Sequence, residues 1–126
     1  MTKFTTAVLL FGAALFVQQA QAACEYPVAP GKIPDGSVAS KEEMLASKKE
    51  VTKYDSDMNA YLGCIRTEFD ASIAAKPDAT PDQKKQMEKV HVQKEDAALA
   101  EVKDVVGRLN EQLKAWKAKN APEKKS

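Results

Sequence analysis

Two cysteines, Cys24 and Cys64, could form the one covalent crosslink that this sequence allows. They stand 40 positions apart, and the chain contains no other cysteine. No Cys-x-x-Cys motif is present, so the sequence does not indicate a thioredoxin-like redox site. In a compartment where thiols oxidise, we expect a disulfide between Cys24 and Cys64 within the chain. A covalent dimer through one or both cysteines is the alternative.

Residues that could act in catalysis or bind a metal are sparse. His91 is the only histidine, and a lone histidine in an apolar helical stripe is typical of packing rather than of a catalytic base or a metal ligand. The sequence has no Gly-x-Ser-x-Gly elbow, no glycine-rich phosphate loop and no His-Glu-x-x-His or EF-hand motif. Neighbouring carboxylates such as Glu42 and Glu43 lie among lysines, which indicates a solvated helix face. We therefore predict a protein without enzymatic activity, cofactor or metal.

The first 22 residues have the pattern of a signal peptide. Lys3 supplies a positive charge, residues 7–17 are almost entirely apolar, and Ala20-Gln21-Ala22 is a small-residue cleavage site. The apolar segment is far shorter than the roughly 20 residues that span a bilayer. We expect cleavage before Ala23, export to the periplasm and no transmembrane segment.

Lipidation of Cys24 is an alternative that the sequence disfavours. Ala22 and Ala23 are small, as a lipidated cysteine requires, but Gln21 stands three positions before Cys24, where an apolar residue is expected. Lipidation would also leave Cys64 without a partner.

The charge balance bears on the kind of partner. The chain has 19 Lys and Arg residues against 18 Asp and Glu residues. Lys3 is the one charge within residues 1–22, so the exported part carries no net charge. A neutral chain has no overall field that attracts nucleic acid or an anionic membrane. We expect the partner to be another protein of the cell envelope.

Residues 23–39 differ in composition from the rest of the chain. Three prolines, at positions 27, 30 and 34, exclude a regular helix, and Pro34-Asp35-Gly36 is typical of a turn. The segment also carries four apolar residues: Tyr26, Val28, Ile33 and Val38. We predict an extended strap whose apolar residues cover a groove between two helices. Extended, residues 24–40 reach about 50 Å, which is enough to bring Cys24 back to the middle of the first helix.

The first helix is predicted over about 40–75. Ser40-Lys41-Glu42-Glu43 is a capping box at its start, and Lys76-Pro77 ends it. Apolar residues recur in between at intervals of mostly three and four: Met44, Val51, Tyr54, Met58, Tyr61, Leu62, Ile65, Phe69 and Ile73. This spacing predicts one apolar stripe. Gly63 is either simply tolerated or lets another backbone approach.

The second helix is predicted over about 81–118. Thr80 is the N-cap, Pro81 occupies the first helical position and Gln83 completes a capping box. The apolar stripe comprises Met87, His91, Ala98, Val102, Val105, Leu109, Leu113 and Trp116, and it is widened by Val90, Leu99 and Val106. Residues 120–126 are predicted to fray.

A short connection makes the two helices antiparallel neighbours. The predicted fold is therefore an all-α, coiled-coil-like two-helix hairpin over residues 40–119, with the strap over residues 23–39 fixed by Cys24–Cys64. The hairpin seam is imperfect, since Ser47 and either Lys94 or Glu95 fall where apolar residues are expected. One face of a lone hairpin stays incompletely covered, so we expect either cover by the strap or weak homodimerisation into a four-helix bundle.

This fold suits a non-enzymatic protein that binds another protein through an elongated helical surface, as a chaperone or an adaptor does, or that has a structural role. Four residues are candidate partner contacts: Met44, Met58, Met87 and Trp116. Core packing is the alternative for all four. An inhibitor or immunity protein that blocks a secreted hydrolase is a second hypothesis, with residues 34–36 or 76–80 as its loop. A lipid-anchored envelope protein is a third.

Two segments resemble known exported proteins. Ala79-Thr80-Pro81-Asp82-Gln83 resembles the Leu-Thr-x-x-Gln motif of the Spy and CpxP periplasmic chaperones and stress sensors, with Ala79 in place of the leucine. This five-residue resemblance implies an all-helical, cradle-shaped dimer that binds unfolded or signalling proteins. Residues 24–64, with Cys24-Glu25-Tyr26-Pro27, Ile33-Pro34-Asp35-Gly36 and Tyr61-Leu62-Gly63-Cys64, resemble small uncharacterised exported proteins of Gram-negative bacteria. That resemblance implies a periplasmic location and no activity.

Overall fold

The computed structural model describes residues 23–122. The predicted signal peptide, residues 1–22, and the last part of the predicted frayed tail, residues 123–126, lie outside the described residues. Within residues 23–122 the chain forms two helices and no strand: α1, Lys41–Ala74, and α2, Pro81–Lys119. Residues 75–80 connect them, and the helices pack along each other. The predicted all-α two-helix hairpin is confirmed.

Both helices begin with a complete capping box. At the start of α1, the Glu43 N–H donates to Ser40 Oγ at 3.2 Å, and the Ser40 N–H donates to Glu43 Oε2 at 2.7 Å. The hydrogen bond from the Ser40 backbone holds the pKa of Glu43 below its ordinary value. At the start of α2, Thr80 and Gln83 make the same reciprocal pair at 3.3 and 2.9 Å. These caps satisfy amide groups that a helix start would otherwise leave unpaired.

The hydrophobic core lies along the contact between the helices. Six buried residues form it: Val51, Tyr54, Met58, Ala98, Val105 and Leu109. Ser47 is buried with them at 5 % exposure, in a position where the stripe of α1 predicts an apolar residue. Because two helices alone enclose a thin core, further cover has to come from residues outside the hairpin.

The strap, residues 23–39, supplies that cover. A disulfide joins Cys24 to Cys64 with the two Cα atoms 5.8 Å apart, so the predicted crosslink is confirmed. Ala29 and Ile33 of the strap pack against the core. The strap therefore runs from the middle of α1 back to its N-terminus and lies against both helices on the way.

Two of the predicted strap contacts are wrong. Val28 is 92 % exposed and Val38 is 74 % exposed, so neither covers the groove. Val28 lies in the extended part of the strap, where side chains alternate between two sides and Ala29 and Ile33 take the inward positions. Val38 lies in a turn, in which its N–H donates to the Asp35 carbonyl oxygen at 3.1 Å.

Candidate functional site

The strap fills only part of the groove between the helices. At its N-terminal end, the Cys24 N–H donates to Glu68 Oε1 on α1 at 3.2 Å. Near its C-terminal end, the Gly36 N–H donates to Gln112 Oε1 on α2 at 2.9 Å. From Glu68 toward the connection at residues 75–80, the groove continues with no strap residue lining it. We call this part the open half.

Residues on both helices place the open half on the same side of the hairpin as the strap. On α1, Glu68 both accepts the Cys24 N–H and lines the open half. On α2, Lys94 lines the open half and stands one heptad before Glu101, whose carboxylate binds the strap through Tyr26. Residues one heptad apart share a helix face. The open half is therefore the continuation of the groove that the strap occupies.

The open half encloses about 580 Å³ and has a mixed lining. Its apolar residues are Ile65, Phe69, Met87 and Val90. Its polar residues are Glu68, Ser72, Lys76, Gln83, Gln86, His91 and Lys94. Within residues 23–122, neither Lys76 nor Lys94 forms an ion pair. The cleft thus combines exposed apolar surface with two cations that have no counter-ion in the described chain.

His91 is packed between the helices beside this cleft. Its ring stacks on Phe69, with centroids 4.5 Å apart and planes 8° from parallel. Its Nε2 lies 3.3 Å from Glu95 Oε1, and the same oxygen accepts a hydrogen bond from Arg66 at 3.1 Å across the helix pair. The hairpin seam was expected to carry either Lys94 or Glu95 in place of an apolar residue. Glu95 occupies that position, and its ion pair with Arg66 links α2 to α1. This arrangement positions His91 through stacking and one carboxylate.

The four candidate contact residues lie in different environments. Met44 and Met58 are buried at 3 % and 0 % exposure, which fits the core-packing alternative for both. Met87 is half-buried and lines the open half. Trp116 is half-buried near the end of α2, under the turn at Gly36. Of the four, the structure brings only Met87 to the open half.

A cluster of tyrosines around Glu101 was not predicted from the sequence. The Tyr26 hydroxyl donates to Glu101 Oε2 at 2.7 Å, and the Tyr26 ring packs edge-on against Tyr61 with centroids 4.9 Å apart. Tyr54 is 3 % exposed, and its hydroxyl has no hydrogen-bond partner among the described residues. Burial raises the pKa of Tyr54 to about 12, with the Glu101 carboxylate adding to the effect. The one signal in the sequence was Tyr26 itself, an aromatic residue in a segment otherwise typical of a linker.

The described residues hold no group of three His, Cys, Asp or Glu side chains that could bind a metal ion. Neither α1 nor α2 has a stretch apolar enough, over the required length, to cross a bilayer. No protein-family model, no curated protein and no solved structure matches the chain.

Proposed function

We propose that this chain is an exported, non-enzymatic protein that binds an extended segment of another envelope protein in the open half of the groove. One observation carries the proposal: a groove that already holds an extended segment, the strap, continues unfilled toward the connection between the helices.

The strap indicates how the groove holds an extended backbone. Backbone N–H groups of the strap donate to side-chain oxygens of the helices, Glu68 at one end and Gln112 at the other. Between these hydrogen bonds, Ala29 and Ile33 of the strap pack against the core. In the open half, Gln86 offers the same kind of side-chain partner beside an apolar surface, whereas Gln83 Oε1 already accepts the Thr80 N–H. A bound segment would therefore repeat the interactions that hold the strap.

Charge and length define the segment further. Lys76 and Lys94 favour a segment that carries an acidic residue next to its apolar side chains. From Glu68 to Lys76 the groove is about 12 Å long at the helical rise of ~1.5 Å per residue. That length accommodates about four residues of extended chain.

The hairpin is well suited to present such a groove. The capping boxes and the disulfide fix both helices and the strap before any partner arrives. A binding surface that is ordered in advance loses less conformational entropy on association. The disulfide is also what export to an oxidising compartment would produce, and it supports that part of the proposal.

Selection of peptides on the oxidised protein tests the proposal. A phage-displayed library of linear peptides is enriched on the immobilised protein, and an enriched peptide is titrated into ¹⁵N-labelled protein. We expect enriched sequences to combine apolar and acidic residues and to shift the amide signals of Phe69, Met87 and Val90. Absence of enrichment, or shifts confined to other surfaces, would overturn the proposal. The fatty acid laurate is titrated in parallel as the alternative class of ligand. Binding of laurate in the groove without any peptide binding would overturn the proposal as well.

A matched pair of variants links binding to the groove. Val90 lines the open half and is 44 % exposed, whereas Val92 is 43 % exposed and does not line it. Val90→Glu places a charge in the apolar part of the cleft and should weaken peptide binding about tenfold or more. Val92→Glu should leave peptide binding unchanged. Equal loss of binding in both variants would contradict the assignment.

A further inference from the structure

The strap closes the open half at the end that is farther from the connection between the helices. The Cys24 N–H donates to Glu68 Oε1, and from there the strap lies in the groove as far as Gly36. We call this end of the open half, at Cys24 and Glu68, the closed end. An internal segment of a partner protein would have to bend out of the groove here, whereas a segment that ends here fits without a bend. The closed end therefore favours a chain terminus as the ligand.

Export would place a new positive charge at the closed end. Cleavage before Ala23, as we expect it, makes the α-amino group of Ala23 the first group of the exported chain. Ala23 is exposed, and it directly precedes Cys24, whose N–H is bound to Glu68. Because one residue spans at most about 3.6 Å, the α-ammonium group stands beside the boundary between the strap and the open half. A segment bound in the open half would meet this charge.

Lys94 brings a second cation to the closed end. His91 of α2 stacks on Phe69 of α1, and one turn further along α2 Glu95 pairs with Arg66 of α1. Lys94 stands between these two contacts, so it is level with the turn of α1 whose carboxylate holds the strap. Its side chain lines the open half, is exposed, and forms no ion pair in the part of the chain that the structure describes. Lys94 is therefore free to pair with a bound anion.

We propose that the open half binds the C-terminal segment of its partner, with the terminal carboxylate between the α-ammonium of Ala23 and Nζ of Lys94. Among the described residues that line the open half, Glu68 is the one carboxylate, and its Oε1 already accepts the Cys24 N–H. The two cations outnumber it, so a C-terminal carboxylate is attracted to the closed end, whereas an N-terminal ammonium would be repelled. Capture of a terminal carboxylate is also an established way to recognise a peptide.

The bound segment would run in the same direction as the strap, from the connection at residues 75–80 toward the closed end. This inference rests on the function proposed above and on cleavage before Ala23, and it names the kind of segment that the open half binds.

Two phage libraries of the same random seven-residue peptides test the inference on the oxidised exported protein. Mass spectrometry first establishes that this protein begins at Ala23, and another first residue would overturn the inference. One library displays the peptides with a free C-terminus, and the other fuses the C-terminus to the coat protein. We expect enrichment to be about tenfold stronger from the first library. Equal or stronger enrichment from the fused library would overturn this inference and leave the proposed function standing, whereas no enrichment from either library would overturn both.

Two forms of an enriched peptide, with a C-terminal carboxylate and with a C-terminal amide, assign the charges. Isothermal titration calorimetry should give the amide a dissociation constant about tenfold higher. Lys94→Met, which keeps an apolar side chain and removes the charge, should weaken binding of the carboxylate form about fivefold and leave binding of the amide unchanged. Acetylation of the α-amine of Ala23 should have the same two effects.

Lys89→Met is the matched control, since Lys89 is an exposed lysine of α2 that does not line the open half. It should leave the dissociation constants of both peptide forms unchanged. Equal affinity of the carboxylate and the amide for the parent protein, or equal weakening of both forms by Lys94→Met, would overturn the inference.

Discussion

Gly36 of the strap lies directly on the backbone of α2 at Gln112. Its N–H donates to the side chain of Gln112 at 2.9 Å. A Cβ atom at position 36 would overlap the carbonyl oxygen of Gln112 and lie 2.9 Å from the backbone nitrogen of Trp116. Only glycine lets the strap approach the helix this closely. The contact fixes the end of the strap that is farthest from the disulfide.

Gly36→Ala should therefore loosen the strap and lower the free energy of unfolding by about 1–3 kcal/mol, because backbone atoms of α2 cannot move aside as a flexible side chain can. Urea denaturation of the oxidised protein measures the change. Gly63→Ala is the control, since no described residue apart from the surrounding helix backbone comes within 4 Å of a Cβ atom at that position. It should raise stability by about 1 kcal/mol through helix propensity. Equal stability of Gly36→Ala and the parent protein would show that the strap tolerates displacement there.

The contrast between Gly36 and Gly63 illustrates what the sequence can and cannot predict. The sequence indicates a turn at Gly36 and leaves open a close backbone approach at Gly63. The structure has the close approach at Gly36 and open space at Gly63. Sequence neighbours determine turn propensity, whereas a close approach depends on which distant backbone arrives. Residue 112 is 76 positions from residue 36, and no local pattern encodes that contact.

The hairpin itself was predictable because its signals are local. Ser40 with Glu43 and Thr80 with Gln83 mark where the helices begin, and both pairs form as capping boxes. The disulfide was predictable because residues 24–40, when extended, are long enough to bring Cys24 to the middle of α1, where Cys64 lies. The open half was not predictable, because it exists only where the strap stops, opposite residues of α2 far along the chain. Periodicity likewise could not separate Met58, buried at the centre of the seam, from Met87, which lines the cleft.

Two tyrosine substitutions should have opposite effects on stability. Tyr26→Phe removes a 2.7 Å hydrogen bond to Glu101 and should lower the free energy of unfolding by about 0.5–1.5 kcal/mol. Tyr54→Phe removes a buried hydroxyl that has no partner within residues 23–122, and it should leave stability unchanged or raise it by up to about 1 kcal/mol. Urea denaturation of both variants at neutral pH tests the pair. A larger loss for Tyr54→Phe than for Tyr26→Phe would mean that the Tyr54 hydroxyl has a partner in solution.

Removal of the disulfide should destabilise the fold and release the strap first. The crosslink closes a loop with a sequence separation of 40. Replacing both cysteines by serine should therefore lower the free energy of unfolding by about 3–4 kcal/mol on the loop-entropy model. Hydrogen exchange gives the local measurement. Protection of the Gly36 amide should fall far more than that of core amides such as Val105. Uniform loss of protection along the chain would show that the strap and the helices unfold as one unit.

Stability should also fall in alkaline solution because the fold raises the pKa values of Tyr54 and Tyr26. The folded state raises the pKa of Tyr54 from its ordinary value of 10.0 to about 12 through burial, and burial together with Glu101 raises that of Tyr26. A raised pKa means that the fold favours the neutral phenol. The stability that this preference contributes is complete below pH 10 and is lost as the pH rises toward 12. The free energy of unfolding in urea should be level between pH 7 and 9 and decline above pH 10, where lysines also lose their charge. The difference in the free energy of unfolding between the parent protein and Tyr54→Phe isolates the contribution of Tyr54, because both proteins have the same lysines. That difference should grow with pH in favour of the variant, and parallel curves would contradict a raised pKa at Tyr54.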